Sequence, residues 1–115
     1  MLDPLAGRME QYLNLLSTRQ KLVSANVANA DTPGFRTKDI DFQFEFMSQI
    51  QTPGLGVQPN VVELEGLKVK NDGNNVSVDR EMRLLSENAL RFQFVGQLLR
   101  GQFSQMRMAI KDGAR

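Results

Sequence analysis

Apolar residues recur at Leu5, Met9, Leu13, Leu16, Val23, Val27 and Ala30, and Gln20 takes the one seam position that is polar. These steps of three and four predict a helix over residues 4–30. Asp3 can cap it, and Pro4 suits the first helical position, where no N–H is needed. Gly7 weakens the opening turns by about 1 kcal/mol relative to alanine. A second stripe runs unbroken through Met82, Leu85, Ala89, Phe92, Gly96, Leu99, Phe103, Met106 and Ile110. It predicts a helix over 79–111, with Asp79 as its cap and with Asp79–Arg83 and Glu87–Arg91 as i,i+4 ion pairs. Gly96 costs about 1 kcal/mol of helix propensity, and close approach of another helix backbone is the expected compensation. Gly101 stands outside the stripe, and the pattern gives no reason for it.

The middle is less regular. Ile40, Phe42, Phe44 and Phe46 alternate with polar residues, which reads as a strand. With Asp39 or Asp41 as a cap, Phe42, Phe46 and Ile50 instead align at helical spacing. Residues 51–60 hold two prolines and two glycines and read as a loop. Beyond them, Leu67 and Val69 face Val78 and Val76 if the chain folds about Asp72-Gly73, a preferred two-residue turn, so a small β-hairpin is expected. Such a hairpin is marginal alone and should lean on a helix.

Between the first helix and this middle lies Ser24-Ala-Asn-Val-Ala-Asn-Ala-Asp-Thr-Pro-Gly-Phe35. Thr32, preceding a proline, is pushed out of the helical region, and Pro33-Gly34 fits the centre of a type II turn. Asn26 and Asn29 share one face of the last turns, and each amide can both donate and accept. Taken singly, these are ordinary helix-stop features; together they offer a grip for a backbone arriving on that face.

Composition narrows the function. The chain has 115 residues, 41% of them apolar, which suits one unit: a 4–30 helix, a 31–78 insert and a 79–111 helix. Its net charge of +1 argues against a dedicated nucleic-acid binder. With no histidine and no cysteine, the commonest general base, nucleophilic thiol and metal ligands are missing. No phosphate-binding glycine loop or metal-spaced acidic cluster replaces them, and Tyr12 sits where packing is its natural role. Neither catalysis nor a cofactor or small-molecule substrate is expected. There is no membrane-length apolar run and no basic-then-apolar leader at the start.

Leu15, Leu22, Phe94, Val95 and Leu98 flank the two stripes. At roughly 1.5–3 kcal/mol per buried side chain, this flank needs a cover. Neighbouring copies would supply one; a third layer formed by residues 40–50 is the other option. An axial subunit that polymerises through its terminal helices competes here with a free-standing coiled-coil adaptor.

The stretch Asn26-Val-Ala-Asn-Ala-Asp-Thr-Pro-Gly-Phe35 resembles the N-terminal signature of bacterial flagellar axial proteins, the rod and hook family. Asp72-Gly-Asn-Asn-Val76, Arg80-Glu-Met82, Glu87-Asn-Ala-Leu-Arg-Phe92 and Gln97-Leu-Leu99 narrow the resemblance to the proximal rod type. The run Phe42-Gln-Phe-Glu-Phe46 is more aromatic than that type implies. The resemblance favours a short helix near 42–50. It implies a mainly α fold, with terminal helices pairing as an antiparallel or coiled-coil-like bundle around an irregular middle. It also implies a structural, torque-transmitting subunit of the periplasm-spanning rod, exported through the flagellar type III apparatus without a cleavable signal. FliE, FlgC and the export gate would be its neighbours. Asn26, Asn29, Thr32, Pro33, Gly34 and Phe35 would fix the exit from the first helix and meet adjacent subunits, and Met82, Leu85, Phe92, Gly96, Leu99, Phe103 and Met106 would form the packing seam.

Overall fold

The computed structural model describes residues 4–51 and 58–113. Helices α1 (Pro4–Ala28), α2 (Phe42–Gln51) and α3 (Val78–Gly113) dominate, with strands β1 (Lys38–Ile40) and β2 (Val61–Glu63) between them. The expected Asp3 cap and most of the 51–60 loop lie outside the described residues.

The long helices pack antiparallel. Asn26 meets Glu81, Gln20 meets Asn88 and Tyr12 meets Arg91, in opposite chain order. At 1.5 Å per residue, α1 is ~37 Å long and α3 ~54 Å, so α3 outruns its partner. The molecule extends 70 × 27 × 17 Å. Its radius of gyration, 18.3 Å, far exceeds the ~13 Å of a compact chain this size.

Met9, Leu16 and Val23 of the first stripe are buried as expected, joined by Ala6, Leu15 and Asn26. The second stripe is turned away from the place its pattern assigns. The only fully buried residues of α3 are Glu81 and Asn88, whereas Met82 and Leu85 are exposed, as are Phe94, Leu98, Phe103 and Ile110. The cause is polar: Glu81 and Asn88 bond to Asn26 and Gln20, which sets their face, one residue round from the apolar seam, against α1. Gln20, the interruption of the first stripe, thus finds its match across the interface. A Cβ at Gly96 would touch nothing within 4 Å, so no backbone approaches it among the described residues.

Residues 42–51 are helical. Asp41 caps α2, its Oδ1 accepting the Phe44 N–H at 3.2 Å and its carbonyl the Glu45 N–H at 2.9 Å. Phe42 and Phe46 then lie edge-on to Tyr12, with ring centroids 5.1 and 5.3 Å away. Strand is confined to the three residues of β1, which pairs antiparallel with β2: Lys38 opposite Glu63, Asp39 opposite Val62 and Ile40 opposite Val61.

The antiparallel pair is therefore built from 38–40 and 61–63 rather than from the arms of the Asp72-Gly73 turn. A reversal forms there, but one residue longer than the expected two-residue turn: Gly73, with φ +86°, donates to the Lys70 carbonyl at 2.9 Å and Lys70 donates to the Asn74 carbonyl at 2.8 Å, so Asn71, Asp72 and Gly73 make the loop. Beyond that pair the second arm does not zip onto the first, because the Asn74 side chain and the Asn75 N–H bond elsewhere and α3 begins at Val78. Ser77, not Asp79, caps α3, its Oγ accepting the Arg80 N–H at 3.3 Å.

Candidate functional site

The polar residues buried in this small core lie mostly at one place, where α1 ends, β1 runs and α3 begins. Asn26, Thr37, Asp39, Asn74, Asn75 and Glu81 are each at most 3% exposed there. Burying so many polar groups is tolerable only if each is bonded, and no buried side-chain N or O atom among the described residues lacks a partner.

Asp39 is the charge centre. Arg19 from α1 reaches it through Nε at 3.2 Å and Nη2 at 3.0 Å, and Arg80 Nη2 from α3 lies 2.6 Å away. Arg80 Nη1 continues to Glu81 Oε2 at 2.7 Å. The other Glu81 oxygen accepts from Asn26, which also donates to the Lys38 carbonyl at 2.9 Å and accepts the Lys38 N–H at 3.1 Å. Asn26 thus grips a backbone in both directions, and that backbone is the chain's own β1. The chain of contacts joins both long helices to the sheet.

Asn75 performs a second suture. Its Oδ1 accepts the Thr37 N–H at 2.6 Å and its Nδ2 donates to the Leu64 carbonyl at 3.3 Å, while the Leu64 N–H reaches the Thr37 carbonyl at 2.9 Å. The carboxamide therefore bridges the Thr37 N–H and the Leu64 carbonyl, the reciprocal half of that backbone pair.

The Thr-Pro-Gly turn adopts the geometry expected of it. Phe35 donates to the Thr32 carbonyl at 3.2 Å, and Gly34 has φ +77°. Asn29 holds the helix end, donating to the Ala25 carbonyl at 2.8 Å and accepting the Thr32 hydroxyl at 3.1 Å. Asn74 Nδ2 bonds the carbonyls of Asn29 and Thr32, both at 2.8 Å, and Gly34 donates to the Asp72 carbonyl at 2.9 Å. Gly34 and Gly73 meet back to back: a Cβ on Gly73 would lie 3.4 Å from the Gly34 Cα. Thr32, Pro33 and Gly34 remain exposed, and Phe35 is half-buried under Lys38, whose Nζ stands 5.6 Å from the ring centre.

Along the shaft, burial opposes the Arg91 charge, but the Tyr12 hydroxyl, 3.0 Å away, and Glu87 outweigh it and hold the guanidinium above its ordinary pKa. The expected Glu87–Arg91 pair forms, and Asp79–Arg83 lies at 3.9 Å on the open surface. Of the seam, Phe92, Gly96, Leu99 and Met106 are half-buried, whereas Met82, Leu85 and Phe103 face solvent. The turn residues and the seam do not converge on one spot: the former sit at the junction, the latter along α3.

Arg19, Asp39, Asn74, Asn75, Glu81 and Asn88 were not singled out as site residues by pattern. The signal was present in the Asp-Gly-Asn-Asn and Arg-Glu-Met strings, which carried the family likeness without a physical role. No group of three or more acidic residues among the described residues has metal-binding geometry, and no described helix is long and apolar enough to cross a membrane. The junction offers packing and hydrogen bonding.

A family model described as "Flagella basal body rod protein" matches residues 13–36, which span the second half of α1 and the Thr-Pro-Gly turn. The flagellar basal body rod protein FlgB of Yersinia ruckeri is 33% identical, with 98% of this chain and all of the relative covered. That of Escherichia coli K12 is 31% identical over 98% of this chain and 99% of its own length. The Borrelia hermsii protein of the same name is 28% identical over 88% and 91%. The Yersinia alignment runs over 137 positions, so that relative carries residues this shorter chain lacks. With similarity along nearly the whole chain, this chain belongs to the FlgB family of flagellar basal body rod proteins, and its role is that of a structural rod subunit.

Proposed function

We propose that the chain is a subunit of the proximal rod, where it transmits torque across the periplasm and helps to enclose the export channel. The observation that carries this reading is the apolar stripe left uncovered on α3 of an elongated subunit. Met82, Leu85 and Phe103, with Phe94 and Leu98 beside them, are too extensive an apolar surface for a solitary protein, and neighbouring subunits are their cover. Phe92, Gly96, Leu99 and Met106 extend the same contact, and Gly96, with open space where a Cβ would stand, admits a neighbour's helix backbone. Asn26 and Asn29 hold the junction rigid, while Thr32, Pro33, Gly34 and Phe35 present its outer turn to an adjacent subunit.

Such a subunit catalyses nothing and binds no cofactor. It leaves the cytoplasm through the flagellar export apparatus. FliE and the export gate lie below it and FlgC above. In a strain lacking the gene, motility should be lost and isolated basal bodies should lack rods; complete rods in that strain would refute the reading. Gly96→Leu should block rod assembly while the protein is still exported, and normal rods would show that no backbone packs there.

A further inference from the structure

Charge is spread unevenly along this chain. Residues 31–87 carry ten acidic and six basic side chains, whereas residues 88–113 carry Arg91, Arg100, Arg107 and Lys111 against Asp112 alone. Both ends also present apolar side chains at the surface. At the sheet end a recess of about 300 Å³ is lined by Arg36, Glu63, Leu64, Glu65, Leu67 and Val69. At the far end of α3, Met106 and Ile110 line an open groove between Arg100 and Arg107, with Ile110 70% exposed. Among the described residues, Glu63, Glu65, Arg107 and Lys111 enter no ion pair.

We propose that the recess is a socket for the last turns of α3 from a second copy of this chain. Met106 and Ile110 seat against Leu64, Leu67 and Val69, and Arg107 and Lys111 pair with Glu63 and Glu65. Arg36 on the rim reduces the negative charge of the socket without cancelling it. The recess is too small for a helix about 10 Å across but accepts the side chains of one. The contact cannot close within one molecule. Asn75 ties the recess to the start of α3, and Ile110 lies ~50 Å further along that helix. A plug at one end and a socket at the other make a heterologous contact, which propagates instead of closing. It therefore gives the array a direction. The inference rests on the rod-subunit reading and names one of its contacts.

The chain has no cysteine, so single cysteines can be placed without background. Full-length V69C and I110C, mixed and oxidised, should form a disulfide-linked pair, whereas I110C with S86C should not. Arg107→Glu with Lys111→Glu should weaken self-association about tenfold in sedimentation, and Glu63→Lys with Glu65→Lys in the same chain should restore it. The same strains should lose and then regain rods and motility. Several outcomes would overturn the socket: I110C linking only to itself, no rescue by the swapped charges, or a tail that binds phosphatidylglycerol vesicles while self-association ignores the charge reversal. If the charge-reversed strain builds normal rods, the socket falls and the rod-subunit reading stands. Complete rods in the deletion strain overturn both.

Discussion

Asn26 shows how narrowly one side chain is specified here. Its amide nitrogen serves the Lys38 carbonyl and Glu81, and its oxygen serves the Lys38 N–H. Asn26→Ala should cost about 2–3 kcal/mol, because buried partners are left unsatisfied. Asn26→Asp, though nearly the same shape, should cost at least as much, since it sets a carboxylate against Glu81 and a carbonyl. Urea unfolding of the two variants checks this ordering. Asp39→Ala removes the only carboxylate shared by Arg19 and Arg80 and should cost about 3 kcal/mol, near the lower end for breaking a buried pair because both arginines keep some contact with water. Such roles were only partly legible in the sequence. A polar residue in a string of polar residues carries no mark of burial until its partners, 12 to 55 positions away, are known.

At the scale of elements, hydrophobic spacing located both long helices, because periodicity depends only on the helix itself. It misplaced the face that α3 turns to α1. The true interface carries Glu81 and Asn88, which an apolar count passes over. It also left residues 40–46 open between strand and helix, a choice made by the Asp41 cap and by Tyr12 receiving Phe42 and Phe46. The two glycines that matter most should respond with opposite signs. Gly34→Ala forces a Cβ onto a left-handed backbone and should destabilise the subunit by about 1 kcal/mol. Gly96→Ala, in an α-helix with open space around it, should stabilise the isolated subunit by about 0.5–1 kcal/mol. Thermal melts followed by the emission of Tyr12, in a chain with no tryptophan, measure both.

For the whole molecule, order should be graded along its length. The junction end holds the buried polar network, while beyond Asn88 no residue of α3 is fully buried. Amide exchange in the dilute subunit should be slowest near residues 20–28 and 78–90 and fastest over 100–113, and assembly should slow the latter. Uniform protection along α3 in the free subunit would show that the far end needs no neighbour to be stable. The pairing of Gly34 with Gly73, secured by Asn74, bears on how such proteins vary in size. It ties the two strands of the insert together at its neck, and the three-residue ladder ties them again further out. Anything added or removed between Gln51 and Gln58 then hangs from a double knot. The central bulge of the polypeptide can grow or shrink without transmitting a change of phase to the shaft.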